Sequence, residues 1–115
     1  MKLTDELKKL AKEGKDARAA KARDVCKDAV EKIILEAKKG ALLGEERCLT
    51  FQLPGHYNYY SNGIGNVTLS IWSKEGYVFR EQLCRLLKHE LEKHGFLMEV
   101  GDSKYGLEVD VFWGG

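Results

Sequence analysis

The stretch Gly55-His56-Tyr57-Asn58-Tyr59-Tyr60-Ser61-Asn62-Gly63-Ile64-Gly65 gathers one histidine, three tyrosines and two asparagines within eleven residues. A tyrosine presents a flat ring and a hydroxyl at small entropic cost, so such a run suits recognition of a protein, a base or a sugar. The plainer alternative is a loop in which glycine and asparagine supply turn geometry and some tyrosines fold back over a sheet edge. On the first alternative, His56, Tyr57, Asn58, Tyr59, Tyr60 and Asn62 are the binding residues. Trp72 and Phe112 join them, because strand alternation turns both rings toward the polar side of a sheet, where large aromatics mark a contact surface.

Other groupings carry less chemistry. Cys48 and His56 form a conceivable nucleophile and base, but no orienting third group or oxyanion motif accompanies them. His89-Glu90-Leu91-Glu92-Lys93-His94 looks like a zinc-protease helix, yet its histidines are five apart. On a helix that spacing turns them about 140° away from each other, so they cannot share a metal. Gly63-Ile64-Gly65-Asn66 is followed by strand-type sequence rather than by the helix a phosphate cradle needs. Cys26, Cys48 and Cys84 are odd in number and lack any C-x-x-C spacing. No motif asks for a cofactor or a metal.

These residues must be positioned by a small set of elements. Thr4 to Lys39 reads as a helix with Thr4 as N-cap, Asp5 and Glu6 in the first turn and Gly40 as its stop. Its strong apolar stripe is Ala22, Cys26, Ala29, Val30, Ile33, Ile34 and Ala37; residues 1–21 carry less to bury and are left to project, to fray or to pair with another copy. Leu49, Phe51 and Leu53 alternate with Cys48, Thr50 and Gln52 as in a half-buried strand, which Pro54-Gly55 ends. Residues 55–65 then read as a loop or a long hairpin connection. Val67, Leu69 and Ile71 make a second strand over 66–72, and Ser73 caps a helix to His94 with the stripe Phe79, Leu83, Leu86, Leu87 and Leu91. Strands over 96–100 and 107–113 flank a Gly101 to Gly106 turn. The order α-β-β-α-β-β predicts a single α+β domain over residues 1–115, with a four-stranded antiparallel sheet and both helices on one face.

Composition agrees with a folded, water-exposed domain: 43% apolar and 32% charged residues, with nineteen basic side chains against eighteen acidic. Residues 1–40 hold twelve Lys and Arg against eight Asp and Glu, and the remainder holds seven against ten. The basic helix, from Lys8 and Lys9 to Arg23, is interleaved with acids and reads as a solvated face. Glu99, Glu108 and Asp110 on the outward sheet face would repel phosphate, which argues against nucleic acid. No stretch is apolar enough for a membrane span, and unpaired cysteines fit a reducing, cytoplasmic setting.

Ala29-Val30-Glu31-Lys32-Ile33-Ile34-Leu35-Glu36-Ala37-Lys38-Lys39-Gly40, followed by strand, then Leu91-Glu92-Lys93-His94-Gly95-Phe96 and a closing strand ending on Trp113, resembles small uncharacterised proteins of phages and large DNA viruses. The resemblance implies an accessory or virion-associated protein and transfers no catalytic residue. The expectation is therefore a non-enzymatic protein-binding or assembly module, its partner another protein or a second copy. The alternatives are a protein that sequesters a nucleotide-like small ligand and a small hydrolase using His56 as base.

Overall fold

The computed structural model describes residues 2–44 and 48–113. α1 (Leu3–Leu42) is one unbroken helix of 40 residues, about 60 Å long at 1.5 Å per residue. It accounts for the 63 Å long axis of a molecule only 28 × 19 Å in cross-section. Alanine and long charged side chains keep the helix going through Gly14. Its start lies two residues earlier than Thr4 as N-cap predicts: Lys2 occupies the N-cap and makes no side-chain cap bond. Its end lies later than Gly40, which is buried inside the helix as the last member of the core stripe. The left-handed glycine beyond the end is Gly44, at φ +89°.

Among the described residues the elements follow one another as α1, β1 (Cys48–Pro54), β2 (His56–Ser61), β3 (Gly65–Ser70), α2 (Lys74–Lys93), β4 (Leu97–Ser103) and β5 (Gly106–Phe112). The class is α+β as predicted, but the sheet is not the single four-stranded one. β1, β5 and β4 form a three-stranded antiparallel sheet in that order, while β2 and β3 form a separate hairpin. The reading of 55–65 as loop fails because His56 to Ser61 itself alternates, with Tyr57, Tyr59 and Ser61 inward and His56, Asn58 and Tyr60 outward. Tyrosine favours the pleated surface, and the glycines that suggested a loop sit only at the ends. Pro54-Gly55 sets the division: β1 pairs with β5 as far as Pro54 and Gly106. At Gly55 the carbonyl instead accepts from Ile71 N at 2.9 Å, which hands the chain over to β3.

The core lies between the sheets and the two helices. Ala22, Cys26, Ala29 and Ile33 of α1 meet Phe79, Leu83, Leu87 and Leu91 of α2, with Leu107, Val109 and Val111 of central β5 closing the cluster. Leu53, Leu69 and Ile71 are buried as strand alternation predicts. Ser73 caps α2 by accepting from Gly76 N at 2.9 Å, and its hydroxyl donates to Ser70 O at 2.7 Å. Gly76 packs so close to Ser70 that any side chain there would strike the Ser70 carbonyl. No helix is long and apolar enough to cross a membrane among the described residues.

Candidate functional site: an aromatic corner where the two sheets meet

Gly55 is the single residue between β1 and β2, and the six-membered ring of Trp72 packs against it. A Cβ at Gly55 would stand 2.6 Å from Trp72 Cζ3 and 3.3 Å from the carbonyl oxygen of Tyr105. Only glycine admits this approach. The backbone of Trp72 belongs to the turn that leads into α2, its main-chain N–H donating to Ser70 Oγ at 3.3 Å. Trp72 is nonetheless 51% exposed as a residue. The His56 ring meets it edge-on, with centroids 5.8 Å apart at 67°, a geometry the ring quadrupoles favour.

Tyr105 completes the corner from the two-residue turn between β4 and β5 and is 77% exposed. Its N–H donates to Ser103 Oγ at 3.4 Å, and Lys104 Nζ lies 5.8 Å from its ring centroid. Gly106, at φ +157°, lets this turn press against the backbone of Leu53 and Pro54. Sequence reasoning missed Tyr105 because the segment has the composition of a turn. The available signal was a large aromatic placed in a glycine-bounded turn, where nothing can bury it.

From the corner the outward face of the hairpin extends as cross-strand pairs of His56 with Ser70, Asn58 with Thr68 and Tyr60 with Asn66. Thr68 Oγ1 donates to Asn58 Oδ1 at 2.7 Å. Tyr60 is 65% exposed, and with Asn62 it borders a shallow pocket against Glu13, Asp16 and Ala17 of α1. The predicted binding residues therefore do not form one surface. His56, Asn58, Tyr60 and Trp72 share this face, and Asn62 lies at the hairpin tip. Tyr59 is half-buried opposite Val67. Tyr57 is in the core, its ring 4.8 Å from that of Phe79. Burial pushes its phenol well above the ordinary value of 10.0, with the neighbouring Cys84 adding to the rise.

Phe112 stands apart. It lies on the outward face of β5 between Cys48 and Leu97, six residues along the strand from Gly106, or about 20 Å at strand rise. Pairing it with Trp72 on one sheet face assumed a single sheet, and the split into two removes that assumption. Cys48 and His56 are parted as well, Cys48 opening β1 and His56 lying beyond its far end at the start of β2, so they do not form a nucleophile and base. The other thiols are set in packing: burial raises Cys26, with the Glu90 carboxylate adding, and burial raises Cys84 despite the opposing charge of Arg80. His89 is exposed on α2 and His94 is exposed at its C-cap. Among the described residues no group of three or more His, Cys, Asp or Glu is placed to hold a metal ion. A scan against family models finds no match to this chain, and neither do searches of curated proteins and of solved structures.

Proposed function

We propose that the chain is a non-enzymatic protein-binding module whose contact surface is the corner of Trp72, His56 and Tyr105, continued by Asn58 and Tyr60 on the outer face of the hairpin. The observation that carries this reading is the state of Trp72, which is half-exposed yet packed against Gly55 and His56. An anchor already fixed in place loses little conformational freedom when a partner covers it, and tryptophan and tyrosine dominate interface energetics for that reason. The polar pairs beside it supply hydrogen-bonding groups at the rim of such a patch. An accessory or virion-associated role is part of the same proposal, and its support is the likeness of the Ala29–Gly40 and Leu91–Phe96 segments to small phage and viral proteins.

Panning a displayed peptide library on the immobilised chain tests the reading. Enriched peptides should lose at least about tenfold in affinity with Trp72→Ala or Tyr105→Ala and be indifferent to Leu97→Ser on the outward face of the main sheet. Absence of enrichment, or binding insensitive to both corner variants, sinks it. A nucleotide that raises the melting temperature in parallel would move the assignment to small-ligand stacking on the same rings.

A further inference from the structure

β1 ends the three-stranded sheet, and among the described residues no strand lies along its outer side. An edge strand leaves every second N–H and C=O pointing outward, a ready template for another strand, and edges are usually guarded by charge. The opposite edge is guarded: β4 carries Glu99 and Asp102. β1 reads Cys-Leu-Thr-Phe-Gln-Leu-Pro and carries no charge. Its single guard, Pro54, sits at the last position, where a missing N–H costs the ladder little.

A groove of about 560 Å³ runs between β1 and α1. Inward-facing Phe51 and Leu53 and outward-facing Gln52 all line it, so it opens at the strand edge rather than beneath the sheet. Leu49 and Phe51 stay half-exposed, whereas their partners on β5, Val111 and Val109, are fully buried. The helical wall presents Lys21, Asp24, Asp28 and Lys32 around Val25 and Ala29.

We propose that this edge is a self-association surface, at which β1 of a second copy pairs antiparallel and joins two three-stranded sheets into one. With the twofold axis at Phe51, that ring meets its own copy, Leu49 meets Leu53, Thr50 meets Gln52 and Cys48 meets Pro54. Every pair keeps its face, apolar against apolar and polar against polar, and no like charges stand opposite each other. A second copy is the fitting occupant because the uncharged run Leu49-Thr50-Phe51-Gln52-Leu53 reads apolar, polar, apolar, polar, apolar from either end and so matches itself under a twofold, as an isologous contact requires.

Light scattering on the wild-type chain is expected to give twice the 13.0 kDa chain mass. T50K/Q52K sets lysines opposite each other on the exposed face of β1 and should weaken association at least about a hundredfold, with unchanged circular dichroism. Mixing it with T50E/Q52E should restore the dimer. Isotope-filtered NMR gives the register directly, through contacts between Leu49 of one copy and Leu53 of the other. A wild-type monomer at NMR concentrations, or a dimer that persists in T50K/Q52K without those contacts, overturns the proposal.

Discussion

Two hydroxyls have been carried into the interior without a partner: Tyr57 Oη and Ser61 Oγ are buried and make no hydrogen bond among the described residues. A buried unpaired polar atom costs its full desolvation, so its removal is neutral or favourable. Tyr57→Phe should raise unfolding free energy by up to about 1 kcal/mol, measured by urea denaturation, and a loss above that size would show that the phenol has a partner in solution. Gly55 is the opposite case, a residue whose lack of a side chain holds another ring in place. Gly55→Ala should push Trp72 off the backbone. In a Trp113→Phe background, where Trp72 is the sole fluorophore of its kind, indole emission should shift to the red, with a stability loss of about 1–3 kcal/mol.

The helices divide their stability unevenly along their lengths. Leu3 and Leu7 of α1 are 67% and 54% exposed, and the helix first meets the rest of the molecule where Leu10 lies against Gly63 at the hairpin tip. Deleting residues 1–9 should therefore change stability by no more than about 0.5 kcal/mol, and their amides should exchange with solvent fastest in the helix. α2 has a firm start. Ser73→Ala removes both the cap to Gly76 N and the bond to Ser70 O and should cost about 1 kcal/mol. An unchanged denaturation midpoint would show the cap to be dispensable.

Acting together, the buried acids make the whole molecule sensitive to alkali. Cys26 and Cys84 are raised above an ordinary 9.0 and Tyr57 above 10.0, in each case chiefly by burial. Each holds its proton to higher pH when folded than when unfolded, so above those values the unfolded chain binds fewer protons and stability falls with pH. Stability contributed by these groups is complete below about pH 9 and declines as pH climbs toward the folded values. Tyr57→Phe should flatten the decline above pH 10, and an unaltered slope in the variant would remove Tyr57 from this account. The elongated shape is equally a property of the whole: the Cα radius of gyration is 16.9 Å, against about 13 Å for a compact chain of this length.

Periodicity along the chain was enough for what depends on neighbours three, four or two residues away. The core stripes of α1 and α2, the inward sets Leu49, Phe51, Leu53 and Val67, Leu69, Ile71, and Ser73 as a cap were all legible from spacing, because burial of one face imprints that spacing locally. The exposed position of Trp72 followed from the same alternation. What tertiary structure decided was pairing. Whether β3 bonds to β1 or to the tyrosine strand depends on how Pro54-Gly55 ends one ladder and Ile71 opens another. No local pattern encodes that competition between distant hydrogen-bonding partners. It separated Phe112 from Trp72, took Tyr57 into the core and brought the carbonyl of Tyr105, a turn residue, up to Gly55. Sequence alone thus determined which side chains face inward, and the choice of strand partners determined which of the rest share a surface.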